Sequence, residues 1–318
     1  MDSDAIVTAA NAAESLPNTS AGKPERNSYQ VRKAIEGLIH LIFLLCGIVA
    51  VAFVLLISIY LIVSGLPAIR EIGLVKFLLG RVWDPTNTTT GAQYGILAFI
   101  LSSVYGTAGA IVVGVPVGLM TAVFLAKVAP PKLAAVIRTA VQLLAGIPSV
   151  VYGLVGMIVL VPAIRNTFSL SSGACLLAAI IVLAIMILPS IINVSETALR
   201  AVPREYEEAS LALGATHIET VFRVSVPAAS SGIAAAVVLG IGRAIGETMA
   251  VIMVAGNQTK MPESLFKGVR TMTANIVIEM GYATDLHREA LIATAVVLFV
   301  FILMINLLFS VLKRRRAD

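Results

Sequence analysis

Apolar residues fall along this chain in six long blocks rather than in the short alternations of a soluble domain. They run Leu38–Val63 (with no charge after His40), Ile96–Ala126, Ala134–Val161, Gly173–Ile192, Ser231–Ala255 and Ala290–Leu312. A hydrocarbon core about 30 Å thick needs about 20 predominantly apolar residues per helical crossing. A backbone in lipid must also satisfy its own hydrogen bonds, which a helix does. The blocks therefore predict an all-α integral membrane protein with six transmembrane helices. The first block exceeds the apolar region of a secretory leader, about 7–15 residues. It follows a polar tail and has no small-residue cleavage pattern behind it, so a retained helix is expected.

The segments between blocks are polar and uneven in length. Residues 1–30 are rich in Ala, Ser, Asn, Asp and Glu without a period and read as a disordered tail, leaving residues 31–318 as the membrane domain. The loop Ser64–Tyr94 carries Phe77-Leu78-Leu79, then Trp83-Asp84-Pro85 and a Thr-Asn tract. In the loop Gly256–Arg288, residues Met272–Met280 have helical spacing but are too few to span, so a short surface or re-entrant helix is expected. Within the blocks, Gly114/Gly118 and Gly242/Gly246 are small residues four apart, and Pro116, Pro148 and Pro189 interrupt helices. Close helix packing explains such small residues; kinked helices lining a pathway fit them as well.

Charge adds orientation. The chain is 58% hydrophobic and 13% charged, against about 45–50% and about 25% in soluble domains. Its net charge of +5 comes from basic residues flanking helices, not from a nucleic-acid-binding face. Lys23, Arg26, Arg32 and Lys33 precede the first block. Lys127, Lys132 and Arg138 lie around the second-to-third connection, Arg200, Arg204 and Arg223 around the fourth-to-fifth, and Lys313-Arg314-Arg315-Arg316 at the end. The positive-inside bias puts these segments, and both termini, in the cytoplasm. Cys46 and Cys175 sit in different blocks, and His40, His217 and His287 are scattered, so neither a disulfide framework nor a metal site is expected.

The connection 196–229 carries a further element. After Pro203, residues Arg204 to Leu213 predict a short amphipathic helix. Its acids suit the positive helix end, and Gly214 suits its termination. Tyr206, Ala209, Ala212 and Leu213 form an apolar stripe too short to bury itself. Lying flat on lipid is one use for such a helix, but Glu205, Glu207 and Glu208 would be repelled by anionic headgroups, which favours a groove on a protein. Glu208-Ala209-Ser210, Gly214 and Val224-Ser225-Val226-Pro227 resemble the "EAA" loop of permeases in binding-protein-dependent ABC importers, with Ser210, Val224 and Val226 as departures. The resemblance implies a helix that docks in a cleft of an ATPase subunit, with Glu208, Ala209, Ser210, Leu213 and Gly214 as the coupling residues. The chain has no Gly-x-x-x-x-Gly-Lys-Ser/Thr loop for nucleotide phosphates. ATP and its Mg²⁺ are thus expected on a partner chain, with no cofactor and no enzymatic chemistry in this one.

Arg243 and Glu247 are the only charges in the heart of a block. A charge at a helix centre in lipid costs about 2.5–3.5 kcal/mol on insertion scales. Four apart, the two share a helix face and are expected to pair. A pair kept for packing is one reading. The other is a pathway in which the Arg243 fork exchanges Glu247 for a passing oxyanion. Arg243-Ala244-Ile245-Gly246-Glu247-Thr248 resembles the motif of phosphate-specific importer permeases. Met249-Ala250-Val251, Gly256-Asn257, Trp83-x-Pro85 with Tyr94-Gly95-Ile96, Gly146 to Gly153, Thr273 to Ile276 and Glu279 to Tyr282 resemble the PstC type. The resemblance spans about Val31 to Arg315. It implies a type I ABC importer permease in a bacterial inner membrane, with Arg243, Glu247 and Thr248 on the translocation path. It also implies a PstA-type second permease, a PstB-type ATPase dimer and a phosphate-binding protein. Permeases for sulfate, molybdate or phosphonate are the alternatives within the class, and a secondary transporter is the alternative outside it.

Overall fold

The computed structural model describes residues 26–89 and 91–314. The chain divides into residues 1–59 and 60–318. The described part of the first unit is helical and belongs to α1 (Arg26–Ile72). Its large apolar side chains, Phe43, Phe53 and Leu56 among them, are exposed, a surface suited to hydrocarbon. The tail expected over residues 1–30 lies outside the described residues up to residue 25, and its last five residues are helical. Of the C-terminal basic run, Arg315 and Arg316 also lie outside them.

In the second unit, α2 (Leu74–Leu79) and a small hairpin precede the next long helix. The hairpin pairs β1 (Trp83–Asp84) with β2 (Gln93–Tyr94), Trp83 opposite Tyr94. There follow α3 (Leu97–Val123), continued by a π turn Phe124–Val128, then α4 (Pro131–Gly146), α5 (Ser149–Val155) and, after a second π turn, α6 (Val161–Thr167). Next come α7 (Leu176–Arg200), α8 (Arg204–Ala212), α9 (His217–Thr220), α10 (Val226–Ala228) and α11 (Ser230–Gly246). The series ends with α12 (Met249–Val254), α13 (Met272–Glu279) and α14 (Asp285–Arg314).

Among the described residues, five helical segments are long and apolar enough to cross a membrane, and a bent pair, His217–Ala228 with Ser230–Gly246, makes a sixth with a 70° turn. Three crossings differ from the blocks. The third does not begin at Ala134: the helix breaks at Ile147-Pro148, and the crossing is Ser149–Thr167. Proline lacks the N–H and forces its predecessor out of helical geometry, and Ile147 is extended at φ −71°, ψ 127°. The fourth continues past Ile192 to Arg200. The fifth ends at Gly246, because Glu247 is extended at φ −69°, ψ 130°.

Helix α7 is the centre of the second unit, with Leu183, Met186, Ile187 and Ile191 buried. α3 lies against it through the expected small residues. A Cβ at Gly114 would meet Ile187 at 2.8 Å, and one at Gly118 would meet Ile191 at 2.8 Å. Gly242 and Gly246 differ, since a Cβ on either would meet nothing within 4 Å. A second cluster gathers Phe77, Trp83, Tyr94, Phe99, Met272 and Leu291. The α13 helix expected from spacing is present, but it is packed inward, with Met272, Thr273, Ala274, Asn275 and Glu279 buried.

Candidate translocation and coupling sites

The α8 helix forms where the spacing places it. Pro203 precedes it, Glu205 and Glu207 fall in its first turn, and Gly214 ends it at φ +87°, a left-handed position that glycine accepts without strain. None of its residues is buried. Glu208 and Ala209 are exposed, Tyr206 is 55% exposed and Leu213 is 90% exposed. Its apolar stripe has no cover among the described residues. The opposite side is anchored. Ser210 Oγ is 2.9 Å from Thr220 Oγ1. Glu207 forms an ion pair with Lys127 at the end of the α3 extension and accepts a hydrogen bond from Ser225 Oγ at 2.8 Å. Burial pushes the Glu207 carboxyl up, but Lys127 and Ser225 together hold it below the ordinary carboxylate range. Neither Glu207 nor Lys127 stood out in the sequence as an anchor. The signal was the three-residue offset between Glu207 and Ser210, which puts both on one helix face. Beyond them Thr216 and Glu219 form a reciprocal capping box that starts α9.

Arg243, Glu247 and Thr248 sit around the break between α11 and α12. Arg243 donates from Nη1 to Ser190 Oγ of α7 at 3.2 Å. Glu247 Oε1 accepts from the Ala250 N–H at 3.2 Å, a carboxylate at the positive end of α12. The Glu247 carbonyl accepts from Thr273 Oγ1 at 3.1 Å. Thr248 Oγ1 donates to the Gly246 carbonyl at 3.2 Å. The expected ion pair between Arg243 and Glu247 is therefore not formed. The helix ends between them, so they no longer share a face, and each takes a separate partner. Glu247 lines a cavity of about 10 Å³ with Ser102, Ser103 and Thr107 of α3 and with Thr271, close to the least that holds one water.

Two further charged clusters went unrecognised in the sequence. Glu196 is buried within α7 because that helix outruns its apolar block. Its Oε1 accepts from Arg138 Nη2 of α4 at 2.6 Å and from Arg200 Nε at 2.9 Å. Arg200 also reaches the Leu125 carbonyl at 3.2 Å. Glu279 of α13 is bound on both oxygens: Oε1 by Arg270 at 2.5 Å, and Oε2 by His287 and Trp83 Nε1, each at 2.8 Å. Arg270 continues to the Asn257 carbonyl and to Asn275 Oδ1, both at 3.0 Å. Trp83 and Glu279 were separate landmarks in the sequence, and the fold brings them together. Among the described residues, no three His, Cys, Asp or Glu side chains gather as a metal site requires.

Residues 114–318 match the family "binding-protein-dependent transport system inner membrane component". The chain is 37% identical to the probable ABC transporter permease protein YqgH of Bacillus subtilis, over 94% of this chain and 97% of that one. It is 36% identical to the phosphate transport system permease protein PstC of Mesorhizobium japonicum, over 72% of this chain and 75% of that one. In structure it is similar to the MetNI methionine ABC transporter in an inward-facing conformation, with a TM-score of 0.55 at 21% identity, covering 69% of this chain and 96% of that one.

Proposed function

The chain belongs to the binding-protein-dependent transport system inner membrane components, and on that membership we propose that it is the PstC-type permease subunit of an ATP-driven importer of inorganic phosphate. The observation that carries the substrate is the identity over most of the chain with relatives named as phosphate permeases. The assembly that follows has a PstA-type second permease, two ATPase subunits that hold ATP and Mg²⁺, and a phosphate-binding protein on the face opposite α8. Both termini and α8 lie on the cytoplasmic side, as the basic flanks require. The exposed stripe of α8, with Tyr206 and Leu213, is the surface an ATPase cleft would cover. Glu208, Ala209, Ser210 and Gly214 shape that docking element, and Glu207 transmits its motion to α3 through Lys127.

Arg243, with Glu247 and Thr248 at the hinge beside it, is the translocation site. The geometry changes the exchange expected from the sequence. Arg243 is held by a neutral hydroxyl, Ser190, rather than by a carboxylate. An oxyanion adds the attraction of opposite charges and can take two parallel bonds from the guanidinium fork, so an arriving phosphate outcompetes the single Ser190 hydroxyl. Glu247 instead fixes the start of α12, so the break can flex without losing its N-terminal partner.

Reconstitution with the second permease, the ATPase and the binding protein tests this, using ATP-dependent uptake of labelled phosphate. Wild type imports phosphate, while Arg243→Gln assembles and hydrolyses ATP but fails to import. Normal import by Arg243→Gln removes Arg243 from the pathway. Import of sulfate or molybdate in place of phosphate overturns the substrate.

A further inference from the structure

On α7, Ser190, Asn193, Thr197 and Arg200 follow one another at offsets of three, four and three, which places them on a single helix face. Such a polar stripe on a lipid-crossing helix is expensive unless it meets water or ligand. Its upper end is Ser190, the partner of Arg243. Its lower end opens into a cavity of about 410 Å³ lined by six polar residues, Arg138, Gln142, Asn193, Glu196, Thr197 and Arg200. That volume lies in the range of about 300–1,000 Å³ of small-ligand sites, enough for an oxyanion with attendant water.

The electrostatics of this basin are lopsided. Both guanidiniums converge on one oxygen, Glu196 Oε1. Two positive charges against one negative leave a net +1. Glu196 is buried, whereas the side chains of Arg138 and Arg200 are 35% and 51% exposed. Neither Nη1 group makes a hydrogen bond among the described residues. A phosphate-type oxyanion entering the cavity would find these donors together with the Gln142 and Asn193 amides, while the Thr197 hydroxyl donates to the Asn193 carbonyl at 2.8 Å.

We propose that the Arg138–Glu196–Arg200 basin is a second oxyanion site, the exit station of the pathway that begins at Arg243. The inference rests on the phosphate-import reading and names its cytoplasmic end. Glu196 sets the affinity. It cancels one of the two positive charges, so the ion is attracted enough to enter and held weakly enough to leave, as conduction through successive sites requires. A phosphate group on an anionic lipid offers the same chemistry from a different source.

The test loads proteoliposomes carrying the complete transporter with inorganic phosphate and measures how the inner concentration inhibits ATP-driven uptake. Arg138→Gln and Arg200→Gln are expected to raise the half-inhibiting concentration about tenfold, and Glu196→Gln to lower it about tenfold. Opposite signs separate an anion site from a clamp between α4 and α7, because loss of a clamp damages all three variants in the same direction. Arg138→Lys, which keeps the charge but loses the fork, should give an intermediate shift if Arg138→Gln fails to assemble. Equilibrium binding of labelled phosphate to the same proteins in nanodiscs carries the comparison if uptake is lost. The inference is overturned if Glu196→Gln shifts with the arginine variants, or if none of them moves the inhibition. Repeating the series in purely zwitterionic lipid and with phosphatidylglycerol separates the sources. An arginine-dependent effect of phosphatidylglycerol, with no response to inorganic phosphate in zwitterionic lipid, assigns the basin to a headgroup and overturns the exit station. Absence of phosphate import by wild type defeats the import reading itself. Normal import with immovable inhibition defeats this inference alone.

Discussion

Glu196 and Glu279 are both buried carboxylates held by arginine, and they are built in opposite ways. Glu279 has both oxygens bound, by Arg270 on one side and by His287 and Trp83 on the other. Its two ionisable donors are nearly enclosed, with Arg270 13% and His287 12% exposed. Glu196 uses one oxygen for two arginines that remain open to a cavity. The enclosed cluster serves the fold, tying the β1–β2 hairpin to α13 and α14, although Asn275 Nδ2 beside Arg270 is buried with no hydrogen-bond partner among the described residues. An open cluster has donors to spare and suits a transient ion. Charge inside a membrane protein is therefore informative less by its presence than by whether its partners are enclosed or open to a cavity.

The largest effect should come from breaking the closed cluster. Glu279→Gln removes the carboxylate paired with Arg270, and leaving a buried partner uncompensated costs about 3–5 kcal/mol. Glu196→Gln should lower the thermal midpoint far less, because Arg138 and Arg200 can turn to water. Thermal unfolding of the purified transporter in one detergent compares them directly. Equal losses would erase the distinction between the two clusters.

How much of this was legible in the sequence follows the same division. Patterns that depend on local periodicity are readable: the apolar blocks, the α8 helix from Pro203 to Gly214, the α13 helix, and close packing at Gly114 and Gly118, though not their partner α7. Pro148 is legible as an interruption, but the third crossing starts at Ser149 rather than Ala134 because the block's hydropathy runs through that proline. The pairing of Arg243 with Glu247 was misjudged because an offset of four means a shared face only where the helix continues, and here the backbone turns at Glu247. Gly242 and Gly246 match a packing pattern, but a Cβ on either would meet nothing within 4 Å among the described residues. The Glu279 cluster joins residues far apart in sequence, Trp83 to Arg270 and His287, and no periodicity links them. Glu196 was missed for a simpler reason: it lies beyond an apolar block, and helices do not stop where hydropathy does.

A single donor can be removed from the closed cluster while its packing stays. Trp83 stands edge-on to Tyr94 and Phe99, with ring centroids 5.7 and 5.6 Å away. Trp83→Phe keeps an aromatic ring there but deletes the Nε1–H bond to Glu279. Hydrogen bonds to charged groups contribute about 1.5–3 kcal/mol, so the unfolding midpoint should fall, by less than in Glu279→Gln. Thr197→Val beside the open cluster should stay within about 0.5 kcal/mol of wild type, as surface substitutions do. A Trp83→Phe variant as stable as wild type would mean that His287 and Arg270 satisfy Glu279 unaided.

Glu207 stands between these extremes in exposure, and its effect is local before it is global. Its ion pair with Lys127 is partly open to solvent, the two side chains being 23% and 12% exposed. Exposed pairs contribute up to about 1 kcal/mol and breaking buried ones costs about 3–5 kcal/mol, so this half-enclosed pair falls between. The consequence should be strongest locally: Glu207→Gln loosens α8 from the end of α3, so hydrogen exchange of Arg204–Ala212 rises several-fold while the unfolding midpoint falls by less than in Glu279→Gln. Glu208→Gln, on the exposed side of the same helix, should leave that exchange unchanged. The pH dependence has a definite sign. Because the folded carboxyl of Glu207 lies below its ordinary range, the anchoring is complete above the unfolded carboxylate pKa and is lost as pH falls through the lowered folded one. The ratio of α8 protection in wild type to that in Glu207→Gln should therefore be constant near neutrality and fall towards one in acid. A ratio of one at every pH would place the anchor in the Ser210–Thr220 contact instead, and motion of α8 would then reach the membrane helices through the segment following Thr220 rather than through α3.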